Sequence, residues 1–106
     1  MADIAQTATI HLVDSRLTPL EHVRDVHGLA ARAVREASAA SRVLKYFDPY
    51  GSLVLNQCQM ADFLADWADS KHLVNSDQDK AAWEAIQRLA QRVSESNAEF
   101  LAIVGD

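Results

Sequence analysis

The segment Phe100-Leu101-Ala102-Ile103-Val104 is apolar at every position, and this run constrains the fold more than any other part of the chain. A half-exposed strand alternates apolar and polar residues. A run with no polar position has no face to give to water, so it suits a strand covered on both sides or lying in mid-sheet. Such a strand needs neighbours. One is Ala8-Thr9-Ile10-His11-Leu12-Val13-Asp14, which is rich in β-branched and apolar residues. Ile10 and Leu12 share one of its faces and His11 and Val13 the other. The other candidates flank Asp48-Pro49-Tyr50-Gly51, which has Asp, Pro and Gly at the first, second and fourth positions of a type I turn. Val43 to Phe47 and Leu53 to Leu55 would be the arms of that hairpin. The rival reading continues the preceding helix through Phe47, with Leu44 and Phe47 on its stripe. Turn chemistry favours the hairpin.

Three helices are expected between the strands. Thr18-Pro19-Leu20-Glu21 reads as a helix start, with Thr18 as cap, Pro19 at the first helical position and Glu21 closing a capping box. Val23, Val26, Ala30, Ala33, Val34 and Ala37 then form one stripe. Asn56 with Gln59 is a second capping pair, followed by Met60, Phe63, Leu64 and Trp67 at helical spacing. Asp62, Asp66 and Asp69 would form the outer face of that helix. Ser76 with Asp79 starts the third helix, whose stripe is Ala82, Trp83, Ile86, Leu89, Ala90 and Val93. Trp67, Trp83, Phe63 and Phe100 all lie in apolar stripes and are expected in the core.

The element order is therefore β-α-β-β-α-α-β. The fold class is α+β, a single domain over residues 1–106, with an antiparallel sheet and helices packed on one face, like a split βαβ unit. The two terminal strands would be central neighbours and the hairpin would supply edges. A chain of 106 residues, 49% apolar, has enough material for a core without metal or disulfide staples. The lone Cys58 cannot pair within the chain, which points to a reducing compartment. The N-terminus does not read as a signal peptide and no stretch is long and apolar enough to span a membrane, so a cytoplasmic location is expected.

Charge is uneven. Residues 1–53 balance six bases against six acids, whereas residues 54–106 carry four bases and nine acids, which accounts for the whole net charge of −5. An acidic half repels phosphate backbones and attracts basic proteins. Arg24, Arg32, Arg35 and Arg42 are interleaved with acids, with no aromatic platform beside them, so nucleic acid is not the expected partner.

No catalytic residue, cofactor or metal is assigned. Cys58 falls in the first turn of a helix, where the dipole favours a thiolate, but no signature ties a histidine to it. His22 and His27 are five apart and diverge around a helix, and His11 and His72 stand alone in sequence. Asp62, Asp66 and Asp69 lack the turning, glycine-containing loop of a calcium site. Tyr50, at a hairpin tip, is a candidate interface anchor.

The run from Phe47 to Met60 resembles a "DPYG…LN..QM" segment of short, uncharacterised bacterial proteins. Those proteins often close on an apolar strand followed by Gly-Asp, as Phe100 to Asp106 does here. The resemblance implies a bacterial accessory protein and, at its most concrete, an immunity protein of a toxin system. It supplies no functional residues.

The sequence thus leads to a small protein-binding module, concretely an immunity protein that occludes a basic, nuclease-like toxin. Asp62, Asp66, Asp69, Asp77, Asp79 and Tyr50 would form its binding face. Two alternatives stay open: a small-ligand binder or enzyme with a cleft near Cys58, and a structural or regulatory homodimer subunit. The chain itself is read as a monomer or homodimer.

Overall fold

The computed structural model describes residues 8–25, 28–36, 41–46, 52–96 and 98–105. The fold is α+β, a four-stranded antiparallel sheet with helices packed against it. Strands β1 (Ala8–Asp14), β2 (Pro19–Asp25), β3 (Ser52–Leu55) and β4 (Glu99–Gly105) stand in the order β2-β1-β4-β3. The apolar tail is thus a central strand. It pairs with β1 over its full length, Ala8 opposite Gly105 through Asp14 opposite Glu99, and with β3 on its other side. The two terminal strands are central neighbours, as the continuous apolar run requires.

The second strand is where the sequence expectation fails. Residues 19–25 form β2, not the start of a helix. Asp14 decides this. Its carboxylate accepts the N–H of Arg16 and of Thr18, both at 2.9 Å, and its carbonyl accepts the N–H of Leu17. Leu17 takes a φ of 62°, which reverses the chain and lays residues 19–25 antiparallel on β1. Pro19 is tolerated because it is the first residue of an edge strand, where a missing N–H costs no ladder bond.

The cap for the first helix comes from Asp25 instead. Its carboxylate accepts the N–H of Leu29 at 3.0 Å and of Ala30 at 2.6 Å, opening α1 (Leu29–Glu36). Gly28, with φ 71°, makes the turn between them. The Ala30 and Ala33 part of the expected stripe is buried.

The hairpin around Asp48 also gives way. Leu44–Tyr46 is a short 3-10 turn, and β3 pairs with β4 rather than with residues 43–46. Residues 47–51, including Tyr50, lie outside the described residues. Neither reading of residues 41–47 holds for the described part, because a buried carboxylate from α2 takes the backbone N–H groups that a ladder or helix would use.

Helices α2 (Met60–Asp69) and α3 (Asp77–Ser94) follow the sequence closely. Asn56 and Gln59 form the reciprocal capping box, with bonds of 3.2 and 2.9 Å, and Ser76 caps α3 through the Asp79 N–H at 3.1 Å. The expected stripes are the buried ones: Met60, Phe63 and Trp67 on α2, and Trp83, Ile86, Leu89, Ala90 and Val93 on α3. The two indoles lock the helices together. Trp67 donates to the Trp83 carbonyl at 3.0 Å and Trp83 donates to the Trp67 carbonyl at 3.1 Å, with the rings stacked 6.2 Å apart. Both N–H groups are therefore satisfied inside the core, as buried indoles require.

Register assigns the two sheet faces. Ile10, Leu12, Leu101, Ile103 and Leu55 point toward the helices and join their core. The opposite face carries His11, His22, Val13, Ala102, Val104 and Val54. Val54 and Val104 are exposed there.

Candidate functional site

The acidic residues singled out in the sequence separate into two groups. Asp62, Asp69 and Asp77 are exposed, whereas Asp66 and Asp79 are buried at 6% and 3% exposure. The outer face expected from Asp62, Asp66 and Asp69 is therefore interrupted in the middle. The reason is hydrogen bonding. Asp66 accepts the N–H of Arg42 at 3.0 Å, of Val43 at 2.8 Å and of Leu44 at 3.1 Å, together with the Ser41 hydroxyl at 3.1 Å. That segment folds over the carboxylate and covers it. Burial alone would raise the Asp66 pKa, but the N–H groups of Val43, Arg42 and Leu44 and the Ser41 hydroxyl outweigh it and hold the carboxyl below its ordinary value. Asp66 thus keeps its charge.

Asp79 is tied down differently. The Arg32 guanidinium lies 3.0 Å from its Oδ1, joining α1 to α3, and the Asn75 N–H reaches Oδ2 at 3.4 Å. Asp62 meets Arg42 at 3.6 Å in a pair that is more than half exposed on both sides.

Beside Asp66 the helical layer opens into a cavity of about 320 Å³. Ala33 and Glu36 line it from α1, Ser41 and Leu44 from the covering segment, Asp66 and Asp69 from α2, and Ser70, His72 and Leu73 from the turn that follows. Its character is mixed: Ala33, Leu44 and Leu73 are apolar, and Glu36, Asp66 and Asp69 bring three carboxyl groups. His72 is held at the rim by a 2.7 Å bond from Nδ1 to the Asp69 carbonyl. A cavity lined by Leu44 and Leu73 and bordered by the exposed acids Glu36 and Asp69 fits a group that is aliphatic along its length and cationic at its tip.

Two of the sequence-selected acids, Asp66 and Asp69, meet in this cavity; Asp62, Asp77 and Asp79 do not line it. Glu36, Ser41 and His72 were missed. No spacing rule connects Glu36, at the end of α1, to a site on α2, because that contact depends on how α1 docks. Cys58 is exposed in the turn before α2 and does not line the cavity. Among the described residues no group of three or more His, Cys, Asp or Glu side chains gathers as a metal cluster, and no helix is long and apolar enough to cross a membrane.

Comparison with known protein families, with curated proteins and with solved structures finds no match to this chain.

Proposed function

We propose that this chain is a protein-binding module whose partner is basic, and that the cavity beside Asp66 receives a lysine or arginine side chain of that partner. The carrying observation is that Glu36, Asp66 and Asp69 all line one cavity of mixed apolar and polar character. The alkyl stem of a basic side chain packs on Leu44 and Leu73 while its head meets Glu36 and Asp69, the Asp66 carboxylate being taken up by residues 41–44. Asp62 lies on the same helix, outside the cavity, where Arg42 pairs with it. A nuclease-like toxin, whose own surface must be basic to hold phosphates, is the concrete partner of this kind, and occlusion of that surface is the mechanism.

The test uses a short arginine-rich peptide as probe, followed by backbone amide shifts at low and moderate salt. Perturbations centred on Glu36, Leu44 and Asp69 to Leu73, weakened by salt, are expected. Asp69→Asn and Glu36→Gln should each weaken binding severalfold, on the order of 3–10-fold. Perturbations confined to the sheet face, or none at either salt, would refute the assignment.

A further inference from the structure

The sheet face turned away from the helices carries a histidine pair that the acidic cavity does not use. His11 on β1 stands directly opposite His22 on β2, so both rings project from the same face. Their centroids are 5.9 Å apart and the rings are tilted by 42°, not stacked flat. We propose that His11 and His22 form a two-imidazole chelate for a late first-row divalent metal, with zinc as the representative ion.

Two metal–nitrogen bonds of about 2.0–2.1 Å, with the half-width of each ring, span roughly 5–6 Å between ring centres. The observed spacing therefore admits an ion with little side-chain movement. A second, independent observation concerns the nitrogen itself. Nδ1 of His11 is buried and has no hydrogen-bond partner among the described residues. In the tautomer that carries its proton on Nε2, Nδ1 offers a bare lone pair, which is the form a metal binds. Buried polar atoms without partners are rare, and coordination removes this one.

The surroundings set the metal class. The neighbouring outward positions are Thr9, Val13, Arg24 and Ala102, with no carboxylate among them. Calcium and magnesium need several oxygen ligands, and the described neighbours offer no carboxylate. Imidazole suits zinc, nickel and copper. With only two protein ligands, affinity is modest, with a Kd on the order of 1–100 µM. Arg24, two residues from His22 on the same face, opposes a bound cation. The chelate stands independently of the acidic cavity.

Titration calorimetry of the full chain with zinc tests it. One ion per chain is expected, with at least about tenfold weaker binding in both His11→Gln and His22→Gln, and no change in His72→Gln. Arg24→Gln should tighten binding about twofold to fivefold. In the unsubstituted protein, substoichiometric copper should broaden the ring signals of His11 and His22 before those of His72, a readout that depends on no variant. Zinc affinity unaltered by either Gln substitution, calcium bound as tightly as zinc, or first broadening at another histidine would each overturn the assignment.

Discussion

Asp25 and Asp66 are both buried carboxylates that hold backbone N–H groups, yet their pKa values shift in opposite directions. Asp25, 1% exposed, caps α1 with two N–H bonds, and Arg32 helps to stabilise its charge. Desolvation still dominates, and its pKa is raised. Asp66 collects three N–H groups and a hydroxyl, and its pKa is lowered. The difference is how completely the charged form is solvated by the protein in place of water. One carboxylate mainly shapes a turn, while the other is the fixed anion around which residues 41–44 and the cavity wall are organised.

The sharpest way to break this contrast is to remove the Asp66 carboxylate. Asp66→Ala leaves three N–H groups and a hydroxyl without their acceptor and should destabilise the fold by about 3–5 kcal/mol, measured by urea unfolding. Asp66→Asn keeps one acceptor oxygen but brings an NH2 toward donors, so it should recover less than half of that loss. If Asp66→Asn proves as stable as the parent, the carboxylate's charge is not what holds residues 41–44.

Asp79 comes next. It pairs with Arg32, whose side chain is 27% exposed, so part of the charge left behind by Asp79→Ala reaches solvent. The variant also loses the Asn75 contact, and a cost of about 2–3 kcal/mol is expected in the same unfolding measurement. Comparing Arg32→Ala, Asp79→Ala and the double variant in a cycle isolates the coupling, expected at about 1–2 kcal/mol. A coupling near zero would mean that α1 and α3 are held together by packing alone.

Acidity separates the two carboxylates without relying on truncation. Asp66 has a folded pKa below its unfolded value, so its contribution is present above that unfolded value, 3.8, and is lost as pH falls through the folded one. Asp25 has the reverse sign. Its folded form binds a proton more readily than the unfolded chain, so its contribution is full below 3.8 and is lost as pH rises through the raised folded pKa. Asp25→Asn should cost about 1–2 kcal/mol at neutral pH, since the amide removes a desolvated charge and keeps one capping oxygen but turns an NH2 toward the other N–H. Unfolding free energies of the parent and of Asp25→Asn from about pH 3 to about pH 8 should diverge only on the side where Asp25 ionises in the folded state. Parallel curves would show that Asp25 titrates as an ordinary carboxyl.

How far each region could be read from sequence follows the same physics. The Asn56 and Ser76 caps and the stripes of α2 and α3 were legible because every partner lies within one or two turns. The apolar run of β4 was legible because a segment with no polar position suits a central strand, although Val104 stays exposed on the outer face. Thr18-Pro19-Leu20-Glu21 misled because a capping pattern is a local preference, and Asp14 with the β1 edge drew the following residues into strand pairing. Asp66 misled because its donors are 22–25 residues away. A carboxylate on a helix looks the same in sequence whether its partner is water or a distant loop. Glu36 was invisible as a site residue for the same reason, since nothing local links it to Asp69.

Asp69 closes the comparison at its other extreme, a carboxyl that borders the cavity yet stays exposed. The backbone carbonyl of Asp69, and not its side chain, accepts from His72, so neutralising the side chain leaves that hydrogen bond in place. Asp69→Asn should then shift unfolding by less than about 0.5 kcal/mol, the smallest stability effect of the series. It should also reduce binding of an arginine-rich peptide severalfold and flatten the salt dependence, because one unit of the field at the cavity mouth is gone. Stability and binding would then be divided between adjacent acids on one helix, Asp66 holding the wall and Asp69 facing the ligand. A variant that loses stability but not peptide affinity would reverse those roles, and would place Asp69 with the structural carboxylates.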